Sequence, residues 1–252
     1  MTIPLQRGII YGPVRSRRLG RSLGINLLPT SYKICTFNCL YCQYGWTRIH
    51  GRILKDGDQW PQVNEVYGAL ERSLKEISPS PDYITFSGNG EPTIYPDFPV
   101  IVDGVIKLRN DLAPSAKVAV LSNSTMVMDE NILTALSRLD VKIMKLDCGA
   151  VECFKSYNRP AKGVHFEEIV KGLAKLENVT IQSLFSGGPK GNFCPENIEV
   201  WIDNIQQISP STVQLYTLDR GFPSNKIAML NKNQLIELKE RLNEFGIDSE
   251  VY

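Results

Sequence analysis

Three cysteines fall within eight residues: Cys35, Cys39 and Cys42, in the run Lys33-Ile34-Cys35-Thr36-Phe37-Asn38-Cys39-Leu40-Tyr41-Cys42. Thiolates are ligands for zinc and for iron–sulfur clusters. Six cysteines scattered over 252 residues would give a C-x3-C-x2-C spacing on the order of a few times in a thousand. Three thiolates this close can wrap one face of a cubane cluster and bind three of its irons. The fourth iron then has no protein ligand and is open to a cofactor or substrate. The competing arrangement is a structural zinc site completed by a ligand such as His50, although zinc knuckles favour paired C-x2-C hooks from two separate places.

Other chemically capable residues sit at the ends of apolar runs. Ser87-Gly88-Asn89-Gly90-Glu91-Pro92 joins two glycines to an acid. Alone it reads as an ordinary strand-to-helix loop, but its glycines permit close backbone approach. Asn123, Lys145, Asp147 and Gln182 occupy strand ends. A lysine inside an apolar strand is costly unless paired, and Asp147, two residues on, shares its face. Cys148 directly follows the same strand, Cys153 is expected in the loop beyond, and Cys194 in the next strand-to-helix loop. Each alone is an ordinary packing thiol. Together they could hold a second cluster, or one of them could be a catalytic thiol. His50 and His165 have no ligand-like neighbours, and the stripe Trp201, Ile202, Ile205 and Ile208 reads as the core face of a helix.

Positioning these residues falls to alternating strand-like and helix-like segments. Ile25–Leu28 is a short apolar run, and Asn64–Ile77 places Val66, Leu70, Leu74 and Ile77 at helical spacing before Pro79 and Pro81. Strands are expected at Tyr83–Ser87, Lys117–Ser122, Val141–Asp147, Val179–Leu184, Thr212–Tyr216 and Ile247–Val251. Helices are expected at Phe98–Leu112, Asp129–Ser137, Phe166–Leu176, Pro195–Ile208 and Asn231–Phe245. Such alternation implies a parallel sheet covered by helices. A complete eightfold barrel typically needs roughly 250 residues of β-α units alone, whereas residues 1–60 read as mostly irregular. The expected architecture is α/β, a partial (β/α)6 TIM-like barrel in one domain over 1–252. Its reactive face would lie at the C-terminal ends of the strands.

The cysteine run resembles the signature of the radical S-adenosylmethionine (SAM) superfamily, with Tyr41 as the aromatic before the last cysteine. The Gly88–Glu91 turn resembles that family's glycine-rich turn, with Gly-x-Gly-Glu where two adjacent glycines are usual. The stretch Tyr11–Gly24, the runs Lys145-Leu146-Asp147 and Asn158-Arg159-Pro160, Gln182, and Val213–Arg220 carry the likeness over nearly the whole chain. They are similar to short radical SAM proteins grouped with the wyosine-synthesising tRNA enzymes. The resemblance implies reductive cleavage of SAM at a [4Fe–4S] cluster held by Cys35, Cys39 and Cys42, yielding a 5′-deoxyadenosyl radical. It implies Gly88, Asn89, Gly90 and Glu91 at the SAM amine, Tyr41 at the adenine, and Asn123 and Gln182 at the ribose, the carboxylate or the substrate. Lys145, Asp147 and Cys148 are the catalytic candidates. Cys148, Cys153 and Cys194 are candidates for an auxiliary iron–sulfur cluster, and the implied electron donor is a flavodoxin or ferredoxin.

Composition narrows the partners. Hydrophobic residues make up 42% and charged residues 22%, which excludes a disordered or disulfide-scaffold chain. No stretch approaches the roughly 18 apolar residues of a membrane span, and Pro4 and Arg7 interrupt anything like a signal peptide, so a cytoplasmic location is expected. The net charge of +1 hides nine Lys or Arg and no acid in residues 1–55, from Arg7 to Lys55, before Asp56. This segment can be solvated, can bind an anion near the cluster, or can dock nucleic acid or an acidic reductase. A near-neutral chain weakens the RNA reading. The expected substrate is therefore a small molecule. Wyosine-like tRNA base modification and radical methyl or alkyl transfer are the alternatives among enzymes. An iron–sulfur carrier or a zinc-bearing binding module is the alternative outside them.

Overall fold

The computed structural model describes residues 2–51 and 60–252; Arg52 and Lys55 of the basic run, and Asp56, lie outside the described residues. In chain order the strands are β1 (Ile10–Ser16), β2 (Gly20–Ile25), β3 (Ile34–Cys35), β4 (Ile49–His50), β5 (Tyr83–Phe86), β6 (Lys117–Ser122), β7 (Val141–Lys145), β8 (Val179–Leu184), β9 (Thr212–Tyr216) and β10 (Ser249–Val251). The helices are α1 (Val63–Glu76), α2 (Phe98–Leu112), α3 (Glu130–Ser137), α4 (Val151–Tyr157), α5 (Phe166–Leu173), α6 (Pro195–Ile208) and α7 (Lys232–Glu244). The main sheet runs β1-β2-β5-β6-β7-β8-β9-β10. Every neighbouring pair in that order from β2 onward is parallel, β1 is antiparallel to β2 at one edge, and β3 and β4 form a separate two-stranded parallel sheet. The six expected β-α units are present, with β10 closing the series. Among the described residues no helix is long and apolar enough to cross a membrane.

Local chemistry sets the boundaries. Asp129 accepts from the backbone N–H groups of Asn131 and Ile132 and starts α3, as its position predicts. Gln62 with Glu65, and Asn231 with Gln234, form reciprocal capping boxes at α1 and α7. α6 begins at Pro195 and ends at Ser209 in the left-handed region. Its stripe Trp201, Ile202, Ile205 and Ile208 is buried, and the Trp201 indole donates to the Leu146 carbonyl at 2.9 Å, tying α6 to the exit of β7. Every residue of β8 is buried, as expected of a strand covered on both faces.

One expectation is refined and one needs correction. Most of residues 2–51 lie outside strands, but β1 and β2 form a hairpin, and β2 ends at Ile25, where the expected strand began. The alternation signal is weak in β1 because it is a largely exposed edge strand, with Pro13 inside and a shift of register between Tyr11 and Val14. Cys153 lies on helix α4 rather than in a loop; α4 has seven residues and no side-chain cap, so little in the sequence announces it.

Candidate functional site

The C-terminal strand ends open onto a cavity of about 470 Å³, reached by Cys35, Cys39 and Cys42, by the Gly88–Glu91 turn, and by Asn123, Lys145 and Gln182. The cysteine loop and the glycine turn, far apart in sequence, form one substructure. Ile34 donates to the Asn89 carbonyl at 3.2 Å, and Glu91 donates back to the Ile34 carbonyl at 3.3 Å. A Cβ on Gly90 would lie 1.6 Å from the Ile34 oxygen, and one on Gly88 2.5 Å from Asn26 Oδ1. Both glycines have φ in the region that disfavours side chains, +145° and +132°. The close approach that Gly90 permits is thus to the carbonyl just before Cys35. On its other side the loop docks on the end of α4, with Asn38 and Leu40 donating to the Asn158 and Tyr157 carbonyls.

The thiols sit among donors. Phe37 N–H and the Asn123 amide each reach Cys35 Sγ at 3.4 Å, and the Asn158 amide reaches Cys39 Sγ at 3.5 Å. Lys33 Nζ is 3.0 Å from both Cys42 Sγ and the Gly45 carbonyl oxygen. Burial pushes the Cys35 thiol up to about 12 and the Cys39 thiol up to about 11. Burial works against the Lys33 charge, but Cys42 and Cys35 outweigh it and hold that pKa above the ordinary lysine value. N–H donors and a cation beside sulfur are what anionic thiolates require. Among the described residues no three His, Cys, Asp or Glu side chains converge on a single ion position. His50 is the register partner of Cys35 across β3 and β4 but is exposed, whereas Cys35 is buried. One zinc needs its ligands around one point, whereas a cubane presents separate corners.

Glu91 is buried. Its Oε1 accepts from Thr93 N (3.1 Å), Thr93 Oγ1 (2.6 Å) and Ser122 Oγ (2.8 Å), and its Oε2 from Asn123 N (2.6 Å). Burial outweighs those bonds and raises its pKa. Glu91 therefore caps the short 3-10 turn at Pro92–Ile94 and keeps acceptor capacity only at Oε2. The Asn89 side chain is buried and engaged within the protein, so what this residue can offer a ligand is its backbone. Its amide accepts from Gln6 N and donates to the Gln6 and Pro29 carbonyls, stitching the N-terminal segment to the turn.

Lys145 and Asp147 pair at 2.7 Å. Asp147 Oδ1 also accepts from Leu184 N, and Oδ2 accepts from the Tyr41 hydroxyl and the Asn158 amide. Asp147 is sealed beneath the cavity rather than lining it. Lys145 does line the cavity and donates to the Tyr216 hydroxyl at 2.8 Å. Burial opposes its charge, but Asp147 and Tyr216 more than compensate and hold its pKa above the ordinary value. Burial, reinforced by Asp147, raises the Tyr41 phenol well above its usual range. Gln182 donates to Gln214 and accepts from Tyr216.

Cys148 and Cys153 lie together, their sulfurs 2.9 Å apart, but Cys148 is fully buried and neither lines the cavity. Sulfurs that close leave no room for a cluster body between them without rearrangement. Cys194 is the N-cap residue of α6. Sequence reasoning missed Lys33 and Asn158 as site residues. Lys33 stands two positions from Cys35, and its charge is the only signal it gives in the sequence. Asn158 belongs to the run Asn158-Arg159-Pro160 and touches Cys39, Tyr41 and Asp147 at once.

Residues 30–194 match the family model described as the Radical SAM superfamily. A UPF0026 protein of Helicobacter pylori is 27% identical over 239 residues, covering 91% of this chain and 72% of that protein. A UPF0026 protein of Synechocystis sp. is 35% identical over 179 residues, 71% of this chain and 61% of that protein. A longer Brachyspira hyodysenteriae protein named GTPase Obg is 29% identical over 92% of this chain, which spans 33% of its length. Among solved structures, a radical SAM methyltransferase from Sphaerobacter thermophilus superposes with a TM-score of 0.66 at 14% identity, over 92% of this chain and 65% of that one. TYW1 with a lysine-pyruvate adduct bound superposes with a TM-score of 0.64 at 15% identity, over 90% and 75%.

Proposed function

The chain belongs to the radical SAM superfamily, enzymes that use a [4Fe–4S] cluster and SAM, and from that premise we propose that Cys35, Cys39 and Cys42 hold the cluster and that the cavity beside them takes SAM and a small-molecule substrate. When bound, the cluster and SAM supply a 5′-deoxyadenosyl radical for hydrogen-atom abstraction. The observation that carries the assignment is the junction at Ile34, which joins the cysteine loop to the Gly88–Glu91 turn on one wall of the cavity.

The surrounding residues have separable tasks in this reading. Lys33, Asn123 and Asn158 offset the negative charge of the thiolates. Gly88 and Gly90 bring backbone to the ligand amine, and Glu91 Oε2 offers the carboxylate charge. Tyr41 is fixed by Asp147, with its backbone in the cysteine loop. Lys145 is an ammonium locked by Asp147 and Tyr216; it donates hydrogen bonds to an anionic group and is not a nucleophile. Asp147 is a positioning residue. Cys148, closed off from the cavity, packs. Reducing equivalents come from an electron donor of the flavodoxin or ferredoxin kind, and the cavity is sized for small molecules.

Anaerobically prepared protein should be brown, hold about four irons per chain, and release 5′-deoxyadenosine from SAM when reduced with dithionite. Replacing Cys35, Cys39 and Cys42 together by alanine should remove both iron and SAM cleavage. A colourless, folded preparation holding one zinc would overturn the assignment.

A further inference from the structure

The cavity wall carries more positive than negative charge. Arg15, Arg17, Arg18, Lys33, Lys145 and Arg220 line it, against the carboxylates of Glu91 and Asp219. Four of these cations have partners. Arg17 is bonded to Asp219, and Arg220 lies 3.9 Å from Asp219 and 3.0 Å from Gln43. Lys145 has Asp147, and Lys33 has Cys42 and Gly45. Arg15 is exposed to solvent.

Arg18 differs from all of them. It lies in the turn between β1 and β2, and its guanidinium sits 4.4 Å from the centre of the Tyr216 ring and 4.9 Å from that of Tyr252. Its Nε is buried and has no hydrogen-bond partner among the described residues, and the nearby Asp219 is bonded to Arg17. Contacts to ring faces hold a guanidinium without engaging its N–H groups, which stay able to bind an oxyanion bidentately. Burial depresses the Arg18 pKa, the sign of a cation desolvated without a full counter-charge. Tyr216 has a second cation on its ring, Lys145 Nζ at 4.7 Å, with a donor to spare beyond Asp147 and Tyr216. Two cations around one ring repel each other unless an anion lies between or beside them.

We propose that Arg18, held by Tyr216 and Tyr252 and seconded by Lys145, anchors an oxyanion of the substrate, a carboxylate or a phosphate. This rests on the reading of the cavity as a SAM-and-substrate site and names the substrate class. The anchor holds the anionic end of the substrate on the hairpin side of the cavity. The clamp also ties the β1–β2 turn to the exits of β9 and β10, so the test must separate binding from folding.

Inorganic phosphate and succinate are titrated calorimetrically into the anaerobically reconstituted holoenzyme, at constant ionic strength held with sodium chloride. SAM affinity and thermal unfolding are measured on the same preparations. One anion should bind saturably, and which one does so tells phosphate from carboxylate. Arg18→Gln should weaken it by roughly 10- to 100-fold, the worth of charged hydrogen bonds, while SAM affinity stays within about twofold. Arg18→Lys keeps the cation and the stem but loses the planar fork; it should unfold at the wild-type temperature and still bind the anion less tightly. The proposal is overturned if neither anion binds the wild type more tightly than chloride, if both variants bind as the wild type does, or if SAM affinity falls in step with anion affinity. Failure of the cavity reading is distinct: the wild type would then bind no SAM, whatever the anion results show.

Discussion

Replacing Asp147 by asparagine should destabilise the protein by about 3–5 kcal/mol, the usual cost of breaking a buried ion pair from one side. The Asp147 side chain is fully buried and that of Lys145 is 15% exposed, with 2.7 Å between their charged atoms. At that distance the gross attraction is about 6 kcal/mol for an effective dielectric of about 20. Asparagine keeps the volume but not the bonding. Its NH2 must face either Lys145 and Leu184 N or the Tyr41 hydroxyl and the Asn158 amide, so donors meet donors in either orientation. Urea unfolding of iron-free, reduced protein at neutral pH measures the loss. Lys145→Met in the same background removes the stranded cation and should restore part of it, giving a coupling energy of about 1–3 kcal/mol. Because the folded Lys145 pKa is raised, the pair contributes fully below the unfolded value of about 10.5 and is lost as pH rises through the folded one. Its contribution is therefore flat from pH 6 to about 9. An Asp147→Asn loss below about 1 kcal/mol, or a coupling below about 0.5 kcal/mol, would refute the view that this pair locks Lys145.

Two further outcomes follow from local geometry. Gly90→Ala should yield little soluble protein or lose at least about 3 kcal/mol, since its Cβ would meet the Ile34 oxygen at 1.6 Å. Gly163→Ala, also at positive φ but with no atom of the described residues within 4 Å of the added Cβ, should cost only about 1–2 kcal/mol, and thermal unfolding of the pair separates clash from backbone strain. Burial holds the Tyr11 phenol up at about 12, against a normal value of 10.0. Ultraviolet titration should show Tyr11 ionising late together with the other buried phenols, Tyr41 among them, and stability should fall as pH rises from 10 towards about 12, where only the unfolded chain ionises these groups freely; Tyr11→Phe should take one phenol out of the late-ionising group and lessen that fall.

Much of the chemistry was legible in one dimension because it is local. The C-x3-C-x2-C spacing names thiolate ligands irrespective of fold, and the alternation of strand and helix patterns dictates a parallel sheet whose reactive side is the strand exits. Lys145 and Asp147 could be paired on paper because residues two apart in a strand share a face. What the chain order could not reveal is which distant groups meet. Gly90 reads as a loop glycine until Ile34 is seen pressed against it, and Glu91 reads as a ligand acid with both oxygens free until Thr93 and Ser122 are seen to occupy Oε1, leaving only Oε2 beside the Asn123 N–H. Asn158 has no periodic or charge signal, yet it reaches Cys39 and Asp147 together. Arg18 was one of nine basic residues until the hairpin carried it between Tyr216 and Tyr252, more than 190 residues away in the chain. Spacing and residue type determine what a segment can ligate; desolvation and pairing depend on which strands the sheet makes neighbours, and only the tertiary structure decided those.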